Sequence, residues 1–210
     1  MRTASRLLAF LTVLLTGAAS ATGLPPGFFP IHRSEPFLLN RQIDPALLRG
    51  LKIWDTRLVT WRTMQPNEAP SERAQVLVLH LWADWCGPCR EEFPVIRDTA
   101  EGLEKVFGER VQAVLLSETS APEAMRAFLE KQRANMPRGP QFLDVGEMIA
   151  ASLRTDLPTP LSYPITLVLD AQRVVRHAVV GPIASRRGDL VASINRVLTE
   201  SRQSSHTPSR

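Results

Sequence analysis

The sequence predicts an α/β protein: a mixed central sheet with helices on both faces, preceded by an N-terminal extension. Three observations lead there. Val76-Leu77-Val78-Leu79 is continuously apolar, as in a strand buried on both faces of a sheet. Downstream, helix-like and strand-like stretches alternate, which favours parallel pairing. Ile165–Leu169 and Val174–Val180 are separated only by Asp170-Ala171-Gln172-Arg173, a hairpin spacing that adds antiparallel strands.

The 210 residues are 44% hydrophobic and 22% charged, ordinary for one folded domain. Four segments are expected. Residues 1–21 read as a signal peptide: Arg2 and Arg6, an apolar run Leu7–Leu15, then Ala19-Ser20-Ala21 as the cleavage site. An uncleaved membrane anchor is the alternative, although the run is short for a bilayer. No cysteine stands near the cleavage site to carry a lipid. Residues 22–73 form the extension, opening on a Pro- and Gly-rich lead-in to about Pro36. Asp44 is placed there as the N-cap of a short helix with Pro45 at its first position. Leu51–Trp54 and Leu58–Trp61 form a possible hairpin. Residues 74–200 are the main domain, and residues 201–210 a disordered polar tail.

Within the main domain a strand at 76–82 leads into a helix from Gly87 to Phe107, kinked at Pro94. A strand at 111–116 and a helix from Ala121 to about Ala134, capped by Ser120, follow. Next come a short strand at 141–143, a helix at 147–153 and a proline-bearing loop, Leu157–Pro164. The hairpin and a closing helix at 190–198 complete the chain.

The formal net charge of +4 falls close to neutral once Arg2 and Arg6 leave with the leader. The arginines are scattered, so nothing points to nucleic acid or an anionic surface.

Cys86 and Cys89 are the only cysteines, two residues apart where the buried strand gives way to the helix. A helix N-terminus offers unpaired N–H groups and partial positive charge, which stabilise a thiolate. Cys86, at the helix start, is the expected nucleophile; Cys89 then resolves the mixed disulfide. Gly87-Pro88 holds the sulfurs in a tight turn. A disulfide closing so small a loop constrains the unfolded chain little, so redox exchange explains it better than stabilisation. A zinc site needs about four ligands, and there is no second cysteine pair and only four His. No metal and no cofactor beyond the Cys86–Cys89 disulfide is expected. A peroxidase reading is weak, because no cysteine stands outside the pair.

Trp82-Ala83-Asp84-Trp85-Cys86-Gly87-Pro88-Cys89, with Pro94 five residues on, resembles the active-site segment of thioredoxins. Arg90-Glu91-Glu92-Phe93-Pro94 and Pro164–Asp170 resemble the exported TlpA/ResA/DsbE branch of that superfamily, over roughly residues 74–199. The resemblance implies a thioredoxin fold and an exported thiol–disulfide oxidoreductase. It implies a cis Pro164 exposing backbone for an extended substrate, and a role for Glu92 in tuning the thiols or carrying a proton. Trp85, Gly87, Pro88, Tyr163 and Pro164 would form the substrate-binding rim, with Trp82 in the core. His80 stands where the branch has Asn and thioredoxins a buried acid; it is placed beneath the cysteines as a proton acceptor for Cys89. Tyr163 before the proline, and the longer loop preceding it, also depart from the pattern.

The implied partners are disulfide-containing exported proteins, apocytochrome c cysteines being one example, and a membrane electron donor for recycling. Gly-Pro between the cysteines resembles reducing members. The opposite direction (an oxidase or isomerase) and a non-enzymatic binding or assembly module remain the alternatives.

Overall fold

Val76–Trp82 forms the strand on which the rest is built, and all seven of its residues are buried. The computed structural model describes residues 35–55, 60–70, 73–119, 121–132, 136, 141–154 and 162–204. The leader, most of the lead-in, Ser120, the loop at 155–161 and residues 205–210 lie outside them.

The elements, in order, are α1 (Pro45–Arg49), β1 (Lys52–Asp55), β2 (Thr60–Thr63), β3 (Val76–Trp82), α2 (Gly87–Phe107) and β4 (Val111–Thr119). They continue with α3 (Pro122–Gln132), β5 (Gln141–Val145), α4 (Met148–Arg154), β6 (Ile165–Leu169), β7 (Val175–Val180) and α5 (Arg187–Ser204). One sheet has the order β2-β1-β5-β4-β3-β6-β7. β3, β4 and β5 run parallel, while β6, β7, β1 and β2 pair antiparallel. This is a mixed sheet with a thioredoxin-like arrangement around β3.

Alternation along β3 divides two cores. Val76 and Val78 pack with Ile96 and Leu103 of α2 and Leu190 and Ile194 of α5. Leu77, Leu79 and Leu81 pack with Leu116, Phe142, Met125 and Leu129 of α3, and Ile149 of α4. Helices therefore cover both faces, as predicted. Phe142 is fully buried and sits in β5, opposite Leu116 of β4 and Ile53 of β1. Phe142→Ala should cost about 3–5 kcal/mol, the range for emptying a large aromatic site. The urea-unfolding midpoint would show it; a loss under about 1 kcal/mol would mean that the sheet does not depend on this ring.

The segment before residue 74 belongs to the sheet from Glu35 onward. β1 pairs with β5, and β2 with β1, so the predicted hairpin exists one or two residues later than placed. At the other edge, the Glu35 N–H donates to Ala178 O at 3.0 Å and the Asn40 N–H to Val175 O at 2.9 Å. The Val175 N–H donates to Arg41 O at 2.8 Å. Leu38 and Ile43 are fully buried there. A bare sheet edge leaves backbone donors and acceptors unpaired, and this segment pairs the Val175 N–H and the Val175 and Ala178 carbonyls of β7. Asp44 caps α1 as predicted, accepting the Ala46 N–H at 2.8 Å.

The largest departures from the expected boundaries are in α5 and β4. α5 runs through Ser204, so residues 201–204 form its last turn rather than a tail; the Ser201 hydroxyl donates to Val197 O at 2.9 Å. β4 continues past Leu116 to Thr119, because Ser117, Glu118 and Thr119 pair with Leu143, Asp144 and Val145 of β5.

Candidate active site

β3 ends at Trp82, the chain turns through Ala83–Trp85, and α2 begins at Gly87. The turn is closed by the Cys86 N–H donating to Ala83 O at 3.1 Å. Cys86 is the N-cap of α2 and is bonded to Cys89, S–S 2.05 Å. Its Sγ accepts the Cys89 N–H at 3.2 Å, so the first cysteine occupies the place where a helix N-terminus favours negative charge. Cys86 is 4% exposed and Cys89 not at all, so the expected nucleophile is the more accessible of the two. Pro88 lies in the first turn, where its missing N–H costs nothing. A side-chain carbon added at Gly87 would meet nothing within 4 Å, so this face of the turn is open.

The Tyr163–Pro164 peptide bond is cis. The Trp85 and Tyr163 rings meet edge to face, centroids 5.4 Å apart, and this contact seats the proline loop against the residue preceding Cys86. Trp85 is 62% exposed, whereas Trp82 is buried edge-on against Phe93 at 4.8 Å. One tryptophan belongs to the rim and the other to the core.

Glu92 lies three residues beyond Cys89, on the same side of α2. It is buried, while Glu91 is exposed. Its Oε1 accepts the Ile183 N–H at 2.6 Å and its Oε2 is buried without a partner. Burial pushes its pKa up to about 7, partly opposed by the Ile183 N–H.

His80 is also buried, and its Nδ1 is 2.9 Å from the Thr166 hydroxyl. Its Nε2 is buried without a partner, and the residue lines a cavity of about 20 Å³ with Ile96, Thr99, Thr166 and Ile183. Burial lowers its pKa to about 3, so the imidazole is neutral. The cavity lies against α2 at Ile96–Leu103, a turn or more beyond Cys89, and neither cysteine lines it.

Two residues that the sequence did not single out reach the rim. The Tyr163 hydroxyl donates to Glu118 Oε2 at 2.5 Å and accepts from Arg154 at 3.1 Å. Glu118 has no exposed surface, and desolvation pushes its pKa up to about 8. Tyr163 is 45 positions away in the chain, so no local pattern marks the pair. Among the described residues no cluster of His, Cys, Asp or Glu could hold a metal ion. None of the described helices is long and apolar enough to cross a membrane.

A sequence profile described as the AhpC/TSA family matches residues 59–178. The thioredoxin-like protein YneN of Bacillus subtilis is 28% identical over 117 residues, 54% of this chain and 61% of that protein. The chain thus spans less than two thirds of that relative. Among solved structures, StoA from Bacillus subtilis aligns at a TM-score of 0.46 and 18% identity, covering 58% of this chain and 83% of StoA. A secreted thiol-disulfide isomerase from Corynebacterium glutamicum aligns at 0.49 and 23%, covering 60% of this chain and 71% of that one.

Proposed function

The chain belongs to the AhpC/TSA family, and from that membership we propose that it is an exported thiol–disulfide oxidoreductase that reduces disulfides of particular periplasmic proteins. One observation carries the chemistry: the only two cysteines form a disulfide at the N-terminus of a helix, with the Cys86 sulfur in the cap position.

In the reduced protein the Cys86 thiolate attacks one sulfur of a target disulfide. That bond breaks, the released target thiolate takes up a proton, and a mixed disulfide joins target and Cys86. Cys89 gives up its proton and attacks Cys86 Sγ, expelling the second target thiolate, which is protonated in turn. Two electrons have moved to the target, and the Cys86–Cys89 disulfide is left. A membrane electron donor of the dithiol type restores the reduced pair. The leader at 1–21 would supply export. Equilibration with glutathione buffers tests direction: a potential near that of thioredoxin, about −270 mV, supports the reductant, and one near −120 mV would overturn it.

The proton of Cys89 goes to Glu92 in this scheme. Glu92 is one helical turn away and its pKa is near neutrality, so it can accept and return a proton at small cost. His80 has a pKa near 3, which makes it a poor base, and it serves as a neutral partner of Thr166. Burial thus moves the proton role expected of His80 onto Glu92. Near pH 7, Glu92→Gln should slow resolution of the mixed disulfide by about 100-fold, the lower end of the range for a general base. His80→Asn should leave that rate within about twofold. Stopped-flow thiol release measures both, and the assignment fails if the histidine variant is the slow one.

A further inference from the structure

Glu118 is a fully buried carboxyl at the end of a central strand, and placing an ionisable group there is unfavourable unless it serves a purpose. The acids around it have other tasks. Asp144, its neighbour across the strand pair, accepts the Ile149 N–H at 2.6 Å at the start of α4. Glu147 pairs with Arg154 at 3.3 Å. The hydrogen bond of Glu118 goes to Tyr163, and its other oxygen is buried unpaired.

The Tyr163 hydroxyl therefore donates to Glu118 and accepts from Arg154, which fixes the ring in tilt and position. Arg154 ends α4 and Tyr163 precedes cis Pro164, so their bond ties the end of α4 to the residue before that proline. The ring also meets Trp85, whose own surface is mostly open. A chain of contacts runs from a buried acid to an exposed aromatic next to Cys86.

We infer that Glu118 and Arg154 are positioning residues that clamp Tyr163 against Trp85, building an aromatic wall beside Cys86 that binds target segments carrying an apolar side chain next to their cysteine. This rests on the thiol–disulfide reading above and adds to it the class of substrate. The exposed Trp85 indole, backed by the buried Tyr163 ring, offers the apolar contact, while the Glu118 carboxyl is enclosed. Glutathione, without an apolar neighbour to its cysteine, gains nothing from it.

The test uses disulfide-bridged peptides with leucine or serine beside the cysteine, oxidised glutathione, and an S-methylated leucine peptide that can bind but not exchange. Glu118→Leu removes the acceptor while filling the buried site; Glu118→Gln keeps an acceptor and should restore the wild-type result. Glu118→Leu should raise KM for the leucine peptide about fivefold, the size of one aromatic contact, with kcat and glutathione turnover unchanged, and Tyr163→Phe should raise the same KM to the same extent. The double variant should be no worse than Tyr163→Phe alone. Binding of the methylated peptide should weaken by the same factor. An unchanged KM, an equal loss with glutathione, or independent multiplying effects would overturn the clamp. Were the wild type to reduce neither peptide, the redox reading would fall, and the methylated peptide would still decide whether the wall binds.

Discussion

Cys89→Ser should arrest the protein as a covalent one-to-one adduct with its target, joined through Cys86 and released by dithiothreitol. Exchange passes through a mixed disulfide, and the second step needs a sulfur at position 89. Serine oxygen cannot take its place, so the intermediate persists and its partner can be identified by mass. Cys86→Ser should form no adduct and lose turnover by at least about a thousandfold, because the attacking group itself is gone. The asymmetry follows from geometry. Cys86 is the cap of α2, accepts the Cys89 N–H and is the more accessible sulfur, whereas Cys89 is enclosed. Adducts on Cys86→Ser rather than on Cys89→Ser would reverse the order of attack.

What sequence reading recovers, and what it misses, divides by the range of the interaction. The Cys86–Cys89 turn was legible because strand, turn and helix signals are contiguous in the chain. The cis Pro164 was legible only through resemblance; nothing in Tyr163-Pro164 by itself specifies the isomer. Glu118 was hidden for a different reason. Ser117-Glu118-Thr119 is polar, and a polar run after an apolar strand reads as its end. β5 extends the strand by pairing with those residues, and Tyr163 gives the buried carboxyl its partner. The edge segment 35–43 escaped similarly, since its structure comes from β7 rather than from any pattern of its own. For His80 the position was foreseen as internal, but desolvation, which reverses its expected role, depends on α2 and α5 closing over it.

Desolvation at the buried acids and histidines also sets how stability depends on pH, and the expected optimum is near pH 5. Glu92 and Glu118 have folded pKa values of about 7 and 8 against 4.5 unfolded, and Asp144 is shifted the same way, all by burial. Between the unfolded and folded values the native state holds protons that the unfolded chain has lost. The contribution of the two glutamates is complete below pH 4.5 and drains away as pH rises to 7 and 8. His80, lowered to about 3, and His177, also lowered, act in the opposite sense: their contribution is present above pH 6.5 and is lost as pH falls below it. Glu68, held at about 2 by Arg62, likewise loses its contribution on acidification below 4.5. From pH 4.5 to 6.5 the two glutamates outweigh His80, with Asp144 and His177 acting in opposite directions; above 6.5 the histidines no longer change and the glutamates continue. Each unmatched proton changes stability by about 1.4 kcal/mol per pH unit. Between pH 6.5 and pH 8 the two glutamates alone therefore lose on the order of 3 kcal/mol, readable as a falling urea midpoint at constant m-value. Glu118→Gln removes one of these protons and should flatten the alkaline limb, most visibly between pH 6.5 and 8. A midpoint that rises from pH 5 to pH 8 would show that these carboxyls are ionised in the native protein, and a slope unchanged in Glu118→Gln would show the same for Glu118 alone.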